Sequence, residues 1–240
     1  MLTQAIKSKI ITPGDSLFEA ALAALKKQPL GNGDVLVITS KVVAVAQGRV
    51  KKISSKQDFD KLVSAEADKI IGKSQVTLTL KKGIFIPWAG IDRSNVKKGY
   101  AVLWPDQPFK VAQQILNQIK KKYRLKNLGV IISDSHCVPL RNGVTGIAIG
   151  YAGFKGVNDL RGKKDLYGNK LEVTQQNIAD MLATAANLVM GEAAEQTPFA
   201  LIKNAPVQFT TQKTDPRESL ISPKDCLFSP LYAKINAKNK

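Results

Sequence analysis

The feature that most constrains this fold is a short run of branched apolar residues, Val35-Leu-Val-Ile-Thr39, which lies just after Gly31-Asn-Gly33. An apolar run of this length, rich in β-branched residues and bounded by turn residues, predicts a buried strand. The polar pair Ser40-Lys41 follows directly at its carboxyl end. The fold must therefore contain a sheet with this strand in its interior and a polar group at its edge.

Other segments predict helices and strands around this strand. A capping box, Ser16 with Glu19, starts a helix over 16–27. The remaining elements are a helix over about 58–72, a half-buried strand with Val76, Leu78 and Leu80, a hairpin through Gly83, a basic amphipathic helix over Phe109–Tyr123, a strand over Leu128–Ser133, a short strand Ile147–Ile149 and a helix over Thr174–Met190. These elements alternate without the regular period of a doubly wound fold, which favours a mixed α+β architecture over a purely parallel sheet.

Length and composition limit the class of protein. With 240 residues and 44% apolar side chains, the chain can bury a large core, as one unit over residues 1–230 built from a single domain or two interlocked subdomains. The Lys-rich tail over 231–240 is expected to be disordered. No segment approaches the roughly 18 apolar residues of a membrane span, and we expect a cytoplasmic protein. Two cysteines without CxxC spacing give little support to a disulfide framework or a zinc site.

The net charge bears on the partners. It is +17, from 36 Lys and Arg against 19 Asp and Glu, and such a surplus favours polyanions, nucleotides or acidic substrates. The lysines are spread along the chain instead of forming one Arg-rich stripe, so a solvated surface explains them better than a nucleic-acid interface. We therefore expect neither a nucleic-acid nor a membrane partner.

The first candidate site is the segment Ala89-Gly-Ile-Asp92-Arg-Ser-Asn95-Val, which follows a strand-like run. It brings a carboxylate, a hydroxyl and a carboxamide within four positions, and these hard oxygen ligands suit Mg²⁺ or Mn²⁺. The alternative is a turn in which the Asp and Asn side chains satisfy their own backbone. Composition alone favours the turn.

A second candidate carboxylate, Asp134, ends the strand Ile131-Ile-Ser133 and is followed by Ser135. Active-site carboxylates are often held at strand ends, where the side chain reaches a cleft; capping of the next turn is the alternative. Glu192 follows the long helix and could add a carboxylate, although Gly191 there also explains a helix end. His136 and Cys137 are adjacent on an extended segment and point apart, which argues against a Cys-His nucleophile.

A third region combines glycines with basic residues, in Arg141-Asn-Gly-Val-Thr-Gly146 and Arg161-Gly-Lys-Lys-Asp-Leu-Tyr-Gly168. Glycines let a backbone approach a ligand, and Arg and Lys supply charge for a phosphate or carboxylate. Neither cluster matches a P-loop or a Rossmann fingerprint. Arg141 and Lys163 are the candidates for binding an anionic substrate.

Taken together, these segments resemble one family, the coenzyme F-420 γ-glutamyl ligases. The matching blocks occur in the family's order over roughly residues 11 to 205 and are Gly33-Asp-Val-Leu-Val-Ile-Thr-Ser40-Lys-Val-Val, Gln47-Gly-Arg49, Ala89-Gly-Ile-Asp-Arg-Ser-Asn-Val96, Ile132-Ser-Asp-Ser135, Arg141-Asn-Gly-Val-Thr-Gly-Ile-Ala-Ile-Gly150, Gly162-Lys-Lys-Asp-Leu-Tyr-Gly-Asn-Lys-Leu-Glu-Val-Thr174 and Met190-Gly-Glu192.

The resemblance implies an intertwined homodimer of mixed α and β structure. It also implies a ligase that uses GTP and Mg²⁺ or Mn²⁺ to join glutamate to a carboxylate of a deazaflavin-like acceptor, through an acyl phosphate and without a protein nucleophile. By resemblance, Asp92, Asp134 and Ser135 bind metal and Glu192 is a further ligand. Ser40, Lys41 and Asn95 contact the nucleotide by the same reasoning.

The chain departs from the family's pattern at several positions. Ser8-Lys-Ile-Ile11 stands in place of a Gly-Leu-Pro-like turn, Val45 in place of a phosphate-facing lysine, Trp88 in place of a common asparagine, and His136-Cys-Val-Pro-Leu140 in place of an Asn-Gly-Arg-type sequence. These changes motivate an alternative to catalysis: a non-catalytic or repurposed homologue that binds a nucleotide or another anion on the same scaffold.

Overall fold

The structure, a computed structural model, describes residues 1–26 and 28–231. Its main sheet has five strands in the order β1-β12-β2-β8-β9, and only the neighbours β2 and β8 run parallel. These strands are β1 (Leu2–Ile6), β2 (Asp34–Thr39), β8 (Leu128–Cys137), β9 (Val144–Ala152) and β12 (Phe199–Lys203). The apolar run Val35–Thr39 lies in the central strand β2, and its burial confirms the prediction of a buried strand.

Helices cover both faces of this sheet. They are α1 (Leu17–Leu25), α2 (Ser40–Ala46), α4 (Pro108–Tyr123) and α5 (Ile178–Met190). Leu36 and Ile38 of β2 pack in the core cluster that contains α1 and α4 residues, whereas Val35 and Val37 pack in the cluster on the α5 side. Alternate side chains of a strand point to opposite faces, so one apolar run supplies both cores.

Three smaller sheets complete the fold, which is mixed α and β as the sequence predicted. They are the pair β3 (Val50–Lys52) and β7 (Tyr100–Val102), the triple β4 (Lys69–Lys73), β5 (Thr77–Lys81) and β6 (Ile84–Pro87), and the pair β10 (Val157–Asp159) and β11 (Gln175–Asn177). A short 3-10 turn, Trp88–Gly90, follows β6. Helix α3 (Lys56–Glu66) packs on this turn.

Several predicted boundaries were wrong. The helix expected over 58–72 ends at Glu66, and its last part is strand β4. The helix expected from Thr174 begins at Ile178, because Asn177 caps it by accepting a hydrogen bond from the backbone N–H of Asp180. The hairpin through Gly83 is confirmed as the β5–β6 turn.

The buried and exposed faces of strand β5 are the reverse of those predicted. Leu78 is exposed, and the buried side chains are Thr79 and Lys81. Thr79 Oγ1 donates to the carbonyl of Ile86 and accepts from the N–H of Ala89, and Lys81 pairs with Glu66 at 2.7 Å. Polar side chains can be buried when every bond is met, and periodicity alone does not reveal such partners.

The Gly-rich segment forms a longer strand than predicted, and its glycines have a different role. The short strand Ile147–Ile149 lies inside the long strand β9. A side-chain carbon at Gly146 would come within 2.5 Å of the backbone of α5, and one at Gly150 would come equally close to Pro108 at the start of α4. These glycines therefore allow helices to approach the sheet, where the sequence suggested that they approach a ligand.

Two further expectations concern the ends and the membrane. None of the helices in the described ranges is long and apolar enough to cross a bilayer. The tail predicted to be disordered, 231–240, lies outside the described residues except for Leu231.

Candidate functional site

A large cavity opens at the carboxyl edge of the parallel strands β2 and β8. Its volume is about 660 Å³, within the range of small-molecule sites. Its lining includes the chain after β1, the start of α2, the turn and loop after β6, the end of β8, and the loop between α5 and β12. Strands β2 and β8 are neighbours, so Ser40-Lys41 and Asp134-Ser135, which follow or end them, meet at one place.

Asp92 faces this cavity from the loop after the 3-10 turn. Its carboxylate accepts from the N–H of Ser94 at 2.7 Å and from the Ser94 hydroxyl at 3.0 Å. Lys41 Nζ, at the start of α2, lies 2.6 Å from Asp92 Oδ2 and donates to Ser94 Oγ at 2.8 Å. Burial acts to raise the pKa of Asp92, but the bonds from Lys41 and Ser94 together hold it below its ordinary value. The residue thus forms the turn that composition favoured and also presents an ionised carboxylate to the cavity.

Asp134 lies at a bulge where β8 leaves regular register with β9, between Ile132 and Ser133. Bulges re-aim side chains, and Ser133, Asp134 and Ser135 all line the cavity. Burial raises the pKa of Asp134 to about 6, and the negative charge of Asp92 adds to the rise. Hydrogen bonds from the N–H of Ser135 and the hydroxyl of Ser40 act in the opposite direction.

Ser135 and Glu192 are joined across the cavity. Ser135 Oγ donates to Glu192 Oε1 at 2.7 Å, and it accepts from Asn187 Nδ2 of α5 at 3.2 Å. Gly191, with φ of 76°, ends α5 just before Glu192. Gly191 therefore ends the helix, as the sequence indicated, and this helix end also turns Glu192 toward Ser135.

Asn95 also lines the cavity, and it has a structural partner. Its backbone is left-handed, with φ of 52°, and its Nδ2 donates to the carbonyl of Ala193 at 2.6 Å. This bond ties the Asp92 loop to the loop that follows α5. The two loops carry three of the candidate residues, so their relative placement depends on Asn95.

The oxygen ligands on one side of the cavity fit a divalent cation. We call Lys41, Asp92, Asp134, Ser135 and Glu192 the polar wall. Three carboxylates and a hydroxyl are the hard donors that Mg²⁺ and Mn²⁺ prefer, and a cation beside Asp134 would relieve the repulsion from Asp92 that raises its pKa. Within the described residues, no group of three or more acidic, His or Cys side chains is arranged so that it could hold a metal ion without rearrangement. Mg²⁺ usually keeps several waters and shares its remaining positions with phosphate oxygens.

The residues that depart from the pattern of the family that the chain resembles also line the cavity. We call Ser8–Ile11, Val45, Trp88, His136 and Cys137 the altered wall, and all of them line the cavity. Trp88 and Ala89 both have positive φ, of 51° and 56°. The Trp88 ring packs edge-on against Phe59, with 5.8 Å between centroids, so an apolar aromatic surface is fixed next to Asp92.

The two basic residues predicted to bind an anion do not reach this cavity. Arg141 is exposed in the turn between β8 and β9, where its N–H donates to the carbonyl of Val138. Lys163 is exposed in the excursion between β10 and β11, where it pairs through its backbone with Leu171. Neither residue contributes to the cavity lining within one chain.

The structure gives two polar residues roles that the sequence did not indicate. The hydroxyl of Ser94, counted among the oxygen ligands of its segment, joins Lys41 to Asp92. Asn187 was treated as a residue of an Ala-rich and Leu-rich helix, although it reaches Ser135. An asparagine inside such a helix, four residues before the terminating Gly191, was the one available signal.

Comparison with known proteins gives the same relationship for most of the chain. Residues 5–204 match the model of the family described as F420-0:Gamma-glutamyl ligase. The chain is 36% identical over 219 residues to the coenzyme F420:L-glutamate ligase of Methanocaldococcus jannaschii, covering 84% of this chain and 86% of the relative. It is 34% identical over 211 residues to the enzyme of the same name from Archaeoglobus fulgidus, covering 81% of this chain and 83% of the relative.

Proposed function

The chain belongs to the F420-0:gamma-glutamyl ligase family, and on that premise we propose that it joins L-glutamate, or a related amino acid, to a carboxylate of a deazaflavin-like acceptor at the expense of GTP. The single observation that carries this proposal is the convergence of Asp92, Asp134, Ser135 and Glu192 with Lys41 on one wall of a cavity of about 660 Å³. A cytoplasmic location remains part of the proposal.

The polar wall is suited to holding a nucleotide and its metal. Asp92, Asp134, Ser135 and Glu192 would hold Mg²⁺ or Mn²⁺, which neutralises phosphate charge when bound. Lys41 lies beside these carboxylates and is the cation nearest to where the phosphates would lie. Ser40, at the start of α2, and Asn95, on the loop after Asp92, would orient the nucleotide.

The proposed reaction needs no nucleophile from the protein. The acceptor carboxylate attacks the γ-phosphorus, GDP leaves, and an acyl phosphate forms. The amine of glutamate then attacks the acyl carbon, the bond from carbon to the phosphate oxygen breaks, and the amine loses a proton. The cavity walls hold the reactants in line, which is the main source of catalysis in phosphoryl transfer.

An activity assay with a labelled acceptor tests the proposal. The purified protein is incubated with GTP, Mn²⁺, glutamate and a deazaflavin acceptor whose carboxylate carries heavy oxygen. We expect a product heavier by one glutamyl residue and heavy oxygen in the released phosphate, because the acyl phosphate passes one carboxylate oxygen to it. ATP in place of GTP measures the choice of nucleotide.

The same assay separates catalysis from binding alone. Metal-dependent GTP binding without turnover on any carboxylate acceptor would favour the non-catalytic homologue. The substitutions in the altered wall are the reason to consider that alternative. Absence of metal-dependent GTP binding in calorimetry would rule out the proposed GTP-dependent ligase. Arg141 and Lys163 remain proposed contacts to the anionic acceptor, and they would have to come from a second copy or a movement of their loops.

We also propose that the protein is a homodimer. Exposed apolar side chains support this assembly: Leu166 and Tyr167 in the excursion between β10 and β11, and Met181 and Leu188 on α5. Contiguous exposed apolar patches often mark protein interfaces. Light scattering on the wild type and on Leu188→Glu tests it, with Ile70→Glu on the exposed strand β4 as the control. A monomeric wild type would contradict the proposal.

A further inference from the structure

We propose that Asn187 is a positioning residue that holds the Ser135 hydroxyl and Glu192 in place as ligands. This inference rests on the proposed function, since it concerns the metal ligands of that site. Asn187 lies in the last turn of α5 and lines the cavity.

The directions of the hydrogen bonds fix the orientation of the Asn187 amide. Ser135 Oγ donates to Glu192 Oε1. The hydroxyl then has lone pairs to receive a donor, and Asn187 Nδ2 lies 3.2 Å away. The carbonyl of Asp134, 3.4 Å from the same nitrogen, is also an acceptor. Because Ser135 Oγ and the carbonyl of Asp134 both act as acceptors, the NH₂ group of Asn187, and not its Oδ1, must face them.

The backbone of Asn187 supports the other ligand. Its carbonyl accepts from the N–H of Gly191 at 3.0 Å, and Gly191 immediately precedes Glu192. One residue therefore contacts Ser135 through its side chain and the segment carrying Glu192 through its backbone. Helix α5 is rigidly seated, because the backbone at Ala183 lies against Gly146 of β9.

The remaining atom of the Asn187 side chain argues against a purely structural role. Oδ1 is buried and has no hydrogen-bond partner among the residues that the structure describes. A buried acceptor without a partner lowers stability, and an apolar side chain of similar size would avoid this penalty. What the Asn187 side chain contributes is therefore the two bonds from Nδ2, of which the one to Ser135 Oγ bears on a ligand.

Binding of Mn²⁺ to Asn187→Leu tests the inference, with affinity measured by electron paramagnetic resonance and stability by thermal melting. We expect Mn²⁺ affinity to fall about tenfold or more, as for other residues that orient metal ligands, and the melting temperature of the metal-free protein to stay equal or rise. Asn117→Leu, on the exposed side of α4, is the matched control and should bind Mn²⁺ as the wild type does. Asn187→Ala provides the same measurement if the leucine variant does not fold.

A double-mutant cycle with Ser135→Ala tests the route of the effect. If Asn187 acts through Ser135, the two losses of Mn²⁺ affinity do not multiply, and the double variant binds about as weakly as Ser135→Ala alone. Fully multiplying losses would overturn this route. Equal Mn²⁺ affinity of Asn187→Leu and the wild type would overturn the inference and leave the proposed function intact. A wild type that binds no Mn²⁺, with or without GTP, would overturn both.

Discussion

The two walls of the cavity differ in how their residues are fixed. On the polar wall, Lys41 forms an ion pair with Asp92 and, separately, Ser135 donates a hydrogen bond to Glu192. On the altered wall, Val45 and Trp88 present apolar surface, and Trp88 is supported by aromatic packing on Phe59. The first wall carries the oxygen donors that are proposed to bind metal, and the second is proposed to affect which ligand binds. The difference suggests that the reaction centre and the specificity of this protein can be changed separately.

The strongest test of the comparison is removal of a polar-wall carboxylate. Asp92→Ala and Asp134→Asn should each weaken metal-dependent GTP binding by at least about 100-fold, because changes to residues that merely orient metal ligands already cost up to that much. Calorimetry with and without Mn²⁺ measures the loss. Asp215→Asn, in an exposed pair with Arg217, should have no effect. Undiminished binding in both cavity variants would mean that the polar wall is not the metal site.

The pH dependence sharpens the role of Asp134. Its pKa is raised from 3.8 to about 6 on folding, so the folded protein keeps this proton where the unfolded chain has lost it. Its contribution to stability is therefore full below 3.8 and is lost as the pH rises through about 6. In metal-free protein, Asp134→Asn should melt higher than the wild type at neutral pH and at the same temperature near pH 4.

Metal binding should show the opposite trend with pH. Mn²⁺ needs the ionised carboxylate of Asp134, so its affinity at about pH 5 should be about tenfold lower than at neutral pH. Titrations of the wild type at both values measure this. A flat profile would indicate that Asp134 is ionised without the metal or is not a ligand.

A substitution on the altered wall should have a smaller effect and a different character. Val45→Lys places a cation at the cavity, at the position where the family pattern has a phosphate-facing lysine. We expect GTP affinity to rise about fivefold, on the order of 1 kcal/mol, with Mn²⁺ affinity little changed. Val173→Lys, at an exposed site outside the cavity, adds the same charge and should not reproduce the gain. Equal gains in both variants would point to net charge instead of the wall.

The smallest effect is expected at Arg141 and Lys163. Neither lines the cavity in one chain, so Arg141→Ala and Lys163→Ala should change GTP affinity less than about twofold in protein held as a monomer, for example by Leu188→Glu. A loss that appears only in assembled protein would indicate that a second copy supplies these residues. A large loss in the monomer would contradict the cavity boundaries described above.

Much of the fold followed from local sequence patterns. The central strand at Val35, the capping of α1 by Ser16 and the helix over Phe109–Tyr123 were predicted correctly, since each depends on neighbours within a few residues. Two predictions failed: β4 was predicted as part of a helix, and the buried face of β5 was predicted on the wrong side. Both features depend on partners distant in the sequence. Burial of Lys81 is compensated by its ion pair with Glu66. The alternation of apolar and polar residues along a strand does not reveal such a partner.

The candidate site divides in the same way. The sequence by itself determined which residue types were present: hard oxygen donors in the Asp92 segment, at Asp134 and at Glu192, in blocks that resemble one ligase family. The tertiary structure decided which of them meet. The parallel pairing of β2 with β8 brings Lys41 near Asp134, and an ion pair joins Lys41 to Asp92 on a separate loop. The end of α5 turns Glu192 toward Ser135, and Arg141 and Lys163 are left outside. Proximity between segments about 50 residues apart arises from strand pairing and helix packing, which no short motif encodes.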